Sequence, residues 1–258
     1  MNNGKDLKLA VLIDADNISY KNIGAILQEI AKHGDPTFKR LYGDMTIPNL
    51  SGWKTVLLEH AITPIQQFGY TTGKNSSDSA LIIDAMDILY TGDVDGFCLV
   101  SSDSDFTRLA TRLRESGKLV LGFGEKKTPN AFIAACNRFT YIEILKEADT
   151  EWKDDEVNSK EANSSPKKAT KSNNRTTTKI DPTLIRLIKK SIEDIAEDDG
   201  WVFLGVLGNL ISKQRPDFDS RNYGYSKLLD LIIDIPDIEV GKRSTNKPNV
   251  FQFYARLK

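Results

Sequence analysis

Residues 9–17 read LAVLIDADN, an apolar run of five residues that stops at Asp14. A second apolar run, residues 97–101 with the sequence FCLVS, is followed by Asp103 and Asp105. Runs of this length and composition are typical of buried strands in a parallel sheet. In open α/β sheets, ligands bind beyond the carboxyl ends of such strands. The two runs therefore predict a polar cleft at one edge of a sheet, with the acidic side chains that suit a metal ion.

The first 146 residues alternate between strand-like and helix-like patterns. Apolar runs predict strands at 7–13, 38–42, 63–68, 96–101, 119–123 and 139–142. Apolar residues with the spacing i, i+3, i+4 and i+7 predict helices near 23–30, 82–89 and 106–113. Strands separated by helices imply right-handed βαβ crossovers. We therefore predict an α/β domain over residues 1–146, built as a three-layer α/β/α sandwich on a mainly parallel sheet.

The periodicity disappears in residues 147–180, which are rich in Ser, Asn, Thr and Lys. Acidic residues dominate the part from 147 to 161, and basic residues dominate the part from 167 to 179. Segregated charge with few apolar residues predicts a disordered, charged linker. The chain is therefore expected to hold two domains joined by this linker.

Residues 181–258 show an apolar pattern of their own. Helical spacing predicts three helices, over 184–195, 206–211 and 225–233. A short strand or turn is predicted at 201–203, and two strands of a hairpin at 238–240 and 250–254. Three helices with a terminal hairpin predict a small winged-helix α+β domain.

The composition argues against several kinds of function. The 258 residues carry a formal charge of −1, so no global field attracts the chain to nucleic acid or to an anionic membrane. The sequence holds two cysteines, Cys98 and Cys136, and two histidines, His33 and His60. These numbers exclude a disulfide framework and a cysteine-rich zinc site. They also disfavour catalysis by a Ser-His or Cys-His pair.

The sequence offers no targeting or membrane-spanning segment. The first six residues, MNNGKD, lack an apolar signal region. No apolar run approaches the length of about 18 residues that a membrane span requires. We therefore expect a cytoplasmic protein with no membrane partner.

A third acidic segment, residues 74–78 with the sequence KNSSD, leads into a predicted helix that carries Asp84. Taken singly, Asp78 and Asp103 are each suited to cap a helix N-terminus, a role that needs no metal. A cap position does not require a carboxylate, however, and Asp14 directly follows a buried strand. The three acidic segments taken together favour a shared site over separate caps.

Convergence of Asp14, Asp78, Asp103 and Asp105 would raise the pKa values of these carboxyls unless a cation neutralised them. Hard oxygen ligands without His or Cys select Mg²⁺ or Mn²⁺ over zinc. Such an ion activates water and shields phosphate charge, which favours phosphodiester hydrolysis. Asn17 is placed to orient a water molecule or a phosphate oxygen.

Three blocks of the sequence resemble those of the NYN domain, a PIN-like ribonuclease superfamily, and its LabA-like branch in particular. The blocks are LIDADN at 12–17, KNSSD at 74–78 with Asp84 following, and VSSDSDF at 100–106. The resemblance extends over residues 5–146 and implies a PIN-like fold with a metal-dependent nuclease activity, acting mainly on RNA. The family often carries glycine where this chain has Asn75.

The same resemblance implies roles for individual residues. By motif position, the catalytic group comprises four acids and a supporting amide: Asp14, Asp78, Asp103, Asp105 and Asn17. The four acids would bind the Mg²⁺ or Mn²⁺ ion, with Asp84 in support. Lys74, which opens the second block, is a predicted RNA contact.

The C-terminal unit resembles an OST-HTH, or LOTUS, domain. The resemblance rests on GWVFL at 200–204, PDFD at 216–219 and YGYSKLL at 223–229. It implies binding of RNA or docking of a protein partner. The predicted phosphate contacts are the basic residues Arg221, Lys227, Lys242, Arg243 and Lys247. Tyr223 or Tyr225 is available to stack on a base, although tyrosines in such a domain are more typical of the core and a basic turn is more typical of a solvated surface.

Our first hypothesis is a Mg²⁺- or Mn²⁺-dependent ribonuclease, in particular an endoribonuclease, whose tethered LOTUS domain recruits RNA. The alternative is a non-catalytic RNA-binding or scaffolding regulator with a vestigial acidic pocket. A third class, a phosphohydrolase of small substrates, is weaker because the appended domain would then have no evident purpose. RNA is the expected partner in both leading hypotheses.

Overall fold

The computed structural model describes residues 6–68, 76–145, 180–244 and 251–258. The chain divides into two compact units, which we call the N-terminal and C-terminal domains. The predicted linker lies outside the described residues except at its last position, residue 180. In the described ranges, no helix has the length and apolar character needed to cross a membrane.

The N-terminal domain is built on a parallel sheet. Its described strands are β1 (Lys8–Asp14), β2 (Asp35–Gly43), β3 (Thr63–Gln66), β4 (Gly96–Val100), β5 (Leu119–Gly124) and β6 (Arg138–Tyr141). They lie in the order β3-β2-β1-β4-β5-β6, and every neighbouring pair is parallel. Each strand falls on a stretch that the apolar runs predicted.

Helices cover both faces of this sheet. The described helices are α1 (Ile23–Ala31), α2 (Trp53–Glu59), α3 (Ser76–Thr91), α4 (Thr107–Glu115) and α5 (Asn130–Ala135). Along β1, Ala10 and Leu12 face a core that includes residues of α3, α4 and α5. Val11 and Ile13 face the opposite core, which includes residues of α1 and α2. Alternate side chains of one strand thus enter two cores, and the predicted three-layer α/β/α class is confirmed.

Strand β2 begins at Asp35, three residues before the predicted start at Phe38. The early part contains Pro36, which has no N–H group to donate to a neighbouring strand. Strand β3 pairs with β2 only from Arg40 onward, so Pro36 lies where one side of β2 is free of this neighbour. The apolar pattern underestimated the length of β2 because this strand begins with polar and proline residues.

The C-terminal domain combines a helical layer with a small antiparallel sheet. Its described helices are α6 (Pro182–Ile195), α7 (Leu204–Gln214) and α8 (Leu228–Ile233). Its described strands are β7 (Val202–Phe203), β8 (Ile238–Ser244) and β9 (Phe251–Leu257), in the order β7-β9-β8. Residues such as Ile188, Leu207, Leu231 and Ala255 bring the helices and the sheet into one core. The predicted small α+β domain is confirmed.

Helix α8 begins three residues later than the spacing predicts. Lys227 has an extended backbone, with φ −137° and ψ 151°, and the helix starts at Leu228. Tyr225 is buried, and its hydroxyl donates a 2.8 Å hydrogen bond to Asp234. The apolar Tyr225 therefore belongs to the core without belonging to the helix, which the helical pattern cannot distinguish.

Candidate metal centre

The candidate site lies where the order of the parallel strands reverses. From β1, the chain continues to β2 and β3 on one side, whereas β4, β5 and β6 lie on the other side. Strands β1 and β4 are hydrogen-bonded neighbours and end together, at Asp14 and Val100. This reversal point at the carboxyl edge is where open α/β sheets bind their ligands.

Asp14 is the buried acid of this site, with 1 % of its surface exposed. Its carboxylate accepts hydrogen bonds of 2.7 Å from the Ser101 hydroxyl, 2.7 Å from the Asn17 amide and 3.1 Å from the backbone N–H of Asp16. Burial raises the pKa of Asp14, while the bonds from Ser101 and Asn17 oppose that rise. The predicted supporting amide, Asn17, therefore holds the first acid in place.

Asp103 and Asp105 follow β4 in a short 3-10 helix. The backbone N–H of Asp103 donates to the Ser101 hydroxyl at 3.0 Å. The Asp103 carboxylate caps the helix by accepting from the N–H of Asp105 at 2.9 Å. Asp103 thus has the capping role that single-residue reasoning allowed. The cap fixes the direction of its carboxylate without excluding a second role.

Asp78 reaches the same place from the first turn of α3. Carboxylate oxygens of Asp78, Asp103 and Asp105 lie within 4.8 Å of one another. Partial burial and the negative charges of Asp14, Asp103 and Asp105 raise the pKa of Asp78 to about 6. The structure therefore brings together three of the predicted acids, with the charge of Asp14 acting on Asp78.

The residues present fit a hard divalent cation. The group offers carboxylate oxygens from Asp78, Asp103 and Asp105, and it includes neither histidine nor cysteine. Mg²⁺ and Mn²⁺ prefer such oxygen ligands, whereas zinc sites use nitrogen and sulfur more often. The raised pKa of Asp78 also favours a cation at this place, because the neighbouring negative charges that help to raise it are the charges that a bound cation would neutralise.

Asp84, the predicted supporting ligand, lies outside this group. Its two carboxylate oxygens contact Arg40 and Tyr42 of β2. Burial and the bond to Asp84 raise the pKa of the Tyr42 phenol. Six residues after Asp78, Asp84 is rotated by about 240° and displaced by about 9 Å along the helix, so it faces the sheet instead of the acids. Its observed contacts join α3 to β2.

Sequence reasoning missed two serines at the site. Ser101, the last residue of the second apolar run, connects Asp14 to Asp103 through its hydroxyl. Ser77 donates a 2.9 Å hydrogen bond to Asp16, which links the first turn of α3 to the loop after β1. A hydroxyl at the polar end of an otherwise apolar strand was the available signal for Ser101.

The predicted RNA contacts have varied surroundings. Lys74 and Lys247 lie outside the described residues. Arg221 forms a two-pronged ion pair with Asp219, with N–O distances of 3.0 Å and 2.7 Å. The remaining three lie at the surface or the start of a helix: Lys227 precedes α8, Arg243 pairs with Asp199 at 2.7 Å, and the Lys242 ammonium lies 3.6 Å from the centroid of the Phe251 ring.

A sandwich on a mainly parallel sheet, with aspartates at its reversal point, is consistent with a PIN-like α/β domain. The NYN domain model matches residues 8–143, more than half of the 258 residues, and the chain belongs to the NYN domain family. The OST-HTH/LOTUS domain model matches residues 176–250. NYN domains are a PIN-like nuclease family, and LOTUS domains bind RNA.

Five solved chains match this sequence. One is a protein of unknown function, VPA0982, from Vibrio parahaemolyticus RIMD 2210633, with 21 % identity and a TM-score of 0.45 over 54 % of this chain and 94 % of that chain. Another is an uncharacterized protein from gene locus NE0665 of Nitrosomonas europaea, with 33 % identity and a TM-score of 0.29 over 38 % of this chain and 91 % of that chain. No curated protein matches the sequence.

Proposed function

We propose that this protein is a Mg²⁺- or Mn²⁺-dependent ribonuclease that cuts RNA endonucleolytically. The observation that carries the proposal is the group of Asp78, Asp103 and Asp105 beside the buried Asp14. Membership of a nuclease family supports hydrolysis, and the appended LOTUS domain supports RNA as the substrate.

Asp78, Asp103 and Asp105 would hold the cation, and Asp14 would add negative charge next to them. When bound, such an ion activates water and stabilises charge on a phosphodiester. Ser101 and Asn17 keep the Asp14 carboxylate in one orientation. The hydrogen bond from the Asp105 N–H orients the Asp103 carboxylate in the same way. The acids are thus preorganised, so little rearrangement is needed when a cation and a phosphate arrive.

The C-terminal domain would recruit RNA to this site. We propose that residues 1–146 form the nuclease domain, residues 147–180 a linker and residues 181–258 the recruiting domain. A flexible connection raises the local concentration of RNA without requiring a fixed interface between the domains. A protein partner of the LOTUS domain remains compatible with this arrangement.

The proposal is tested by incubating the purified protein with structured and unstructured RNA in EDTA, Mg²⁺ or Mn²⁺. The informative variants are Asp14→Asn, Asp78→Asn and Asp103→Asn, which keep side-chain size but remove charge. Asp87→Asn is the matched control, because Asp87 lies exposed on the same helix as Asp78. Circular dichroism monitors folding of all variants.

We expect cleavage with either metal, none in EDTA, and a loss of about 100-fold or more in the three site variants, as for removal of a main charge-stabilising group. Asp87→Asn should retain full activity. Full activity of Asp103→Asn would overturn the assignment. RNA binding that ignores metal, with no cleavage by any preparation, would instead support the non-catalytic regulator.

A further inference from the structure

The sheet of the C-terminal domain has an outer face that the core does not use. In antiparallel strands, successive residues point to opposite sides. Val202 and Ala255 are paired and buried in the core. Their neighbours Phe203 and Tyr254 form the next pair and therefore lie on the opposite side. We call this side, with Trp201, Phe203, Gly241, Arg243, Tyr254 and Arg256, the outer face.

Aromatic rings cover much of the outer face. A Cβ atom at Gly241 would lie 2.8 Å from the Trp201 ring, so the glycine provides the space in which this ring rests against β8. The Phe203 and Tyr254 rings lie 5.7 Å apart between centroids. The indole, the phenol and the phenyl ring are each only partly buried.

Two guanidinium groups lie over these rings. The Arg243 guanidinium is 4.4 Å from the centroid of Tyr254 and 5.8 Å from that of Trp201. The Arg256 guanidinium is 4.6 Å from the centroid of Trp201. Cation–π contact and ion pairing together restrict both side chains, since Arg243 pairs with Asp199 and Arg256 pairs with Glu239.

We propose that the outer face binds single-stranded RNA by stacking its unpaired bases on the aromatic rings and the arginine planes. This inference rests on the proposed recruiting role of the C-terminal domain and gives that role a site and a form of RNA. Unpaired bases expose flat surfaces that stack on aromatic side chains and on guanidinium planes, whereas a duplex keeps these surfaces covered.

The planar groups of the outer face favour RNA over an apolar protein partner. The two arginines are each matched by an acid, so the face itself is close to neutral and would gain its selectivity from stacking. A nearly neutral surface of aromatic rings and guanidinium planes matches the flat, unpaired bases of a single strand.

The test uses the full chain with Asp103→Asn, which keeps the RNA intact. The ligands are a fluorescein-labelled ten-nucleotide adenosine RNA and a ten-base-pair RNA duplex. Trp201→Ala removes a stacking ring, and Trp201→Phe retains one. Arg243→Ala removes the planar cation, and Arg243→Lys retains only the charge. Lys190→Ala is the control, because Lys190 is an exposed cation of α6, a helix that packs against the inner side of the sheet.

We expect the single strand to bind more tightly than the duplex. Trp201→Ala and Arg243→Ala should each weaken single-strand binding about tenfold, as for loss of one stacked base. Trp201→Phe should bind about as well as the parent. Arg243→Lys should resemble Arg243→Ala more than the parent, and Lys190→Ala should change affinity less than twofold or so. RNA should quench tryptophan fluorescence in the parent and much less in Trp201→Phe, a signal that a purely structural role of Trp201 would not produce.

Unchanged binding by Trp201→Ala and Arg243→Ala would overturn the outer face as the site while leaving RNA recruitment in place. Equal affinity for duplex and single strand, or an equal loss in Lys190→Ala, would replace stacking with general attraction to phosphate and would also overturn it. Cleavage of the same RNA by the chain with Asp103 intact is measured in parallel. If the nuclease proposal is wrong, this cleavage assay will show no product, whereas the RNA-binding measurements will be unaffected.

Discussion

The Ser101 hydroxyl donates a 2.7 Å hydrogen bond to the buried carboxylate of Asp14, across 87 positions of sequence. The same hydroxyl oxygen accepts a bond from the backbone of Asp103 at 3.0 Å. One side chain therefore links the acid that ends β1 to the acids that follow β4. The relative placement of the acids depends on this serine as well as on the sheet.

Ser101→Ala should lower the free energy of unfolding by about 1–3 kcal/mol, because a buried carboxylate loses a donor. It should also raise the pKa of Asp14 further, since the Ser101 bond opposes the effect of burial. The acid limb of the cleavage–pH profile is then expected to move to higher pH. Urea unfolding and initial rates across pH provide the measurements.

The control is Ser226→Ala, in which an exposed hydroxyl loses a 3.2 Å bond to Asp230. Its effect on stability should stay within about 0.5 kcal/mol, as for ordinary surface substitutions. An equal loss of stability in the two variants would contradict a special role for Ser101.

Asp78→Asn should stabilise the metal-free protein at neutral pH. The folded-state pKa of Asp78 is about 6, above its ordinary value of 3.8. The folded chain therefore binds the proton more tightly, and its stability falls as pH rises from about 4 to about 6, with the full penalty present above that range. Removing the carboxylate should add about 1 kcal/mol near pH 7.5, a figure reduced for the partial exposure of the group.

Little gain is expected from the same variant near pH 4, where Asp78 is protonated in the folded chain and nearly half protonated in the unfolded chain. Urea unfolding in EDTA at the two pH values measures the difference. A gain of equal size at both values would show that charge repulsion is not the cause.

Mg²⁺ or Mn²⁺ should raise the temperature of thermal unfolding, because an ion that binds only the folded chain stabilises it. The rise should be larger near pH 7.5 than near pH 5, since Asp78 must release its proton to bind the ion. Differential scanning fluorimetry measures this effect without any nuclease assay. Asp103→Asn should lose most of the rise and Asp87→Asn should keep it; no response at either pH would argue against a metal centre.

Arg40 and Asp84 are expected to show strong energetic coupling. Either single replacement by alanine should lower the free energy of unfolding by about 1–3 kcal/mol, because the partner is left partly buried and without its charge-assisted bond. The double replacement should cost less than the sum of the two. A double-mutant cycle in urea tests this, and strictly additive losses would contradict the contact.

Gly124→Ala should be destabilising, since a Cβ atom there would lie 2.6 Å from the carbonyl oxygen of Ser101. We expect a loss of about 1–3 kcal/mol, typical of overpacking, and reduced cleavage because Ser101 must move. Gly24→Ala in α1 is the matched control, because a Cβ atom there would lie 3.8 Å from its nearest neighbour outside the helix, the His60 ring. That change should instead stabilise the helix by about 0.5–1 kcal/mol. Equal changes in stability for the two variants would contradict the inference that a Cβ atom at Gly124 lies too close to Ser101.

The centre of the sheet could be predicted because β1, β4 and β5 are almost entirely apolar. The stretch 96–101 predicted β4, which is observed as Gly96–Val100. Burial on both faces produces continuous apolar runs, and these are visible without any knowledge of partners. The apolar pattern did not predict helix α2, because Trp53 is its one buried residue and a seven-residue helix leaves little periodic signal.

The site was harder to predict than the strands. Acids at strand ends indicated which segments meet, since parallel strands place their carboxyl ends at one edge. The contacts of Asp84 with Arg40 depend instead on how α3 is rotated against β2, a relation between segments 44 positions apart. No local pattern records that rotation, whereas Ser101 had a local signal in its hydroxyl at the end of an apolar run.

The acids at the reversal point come from three separate segments, and this separation has a consequence for how the protein matures. Long-range contacts form slowly, because the intervening chain must first be ordered. A growing chain that has passed Asp14 and Asp78 still lacks the acids after β4, so no contiguous early fragment contains the complete candidate site. The chain is therefore expected to bind a cation only after β4 docks beside β1, and cation binding can serve as a reporter of that docking step.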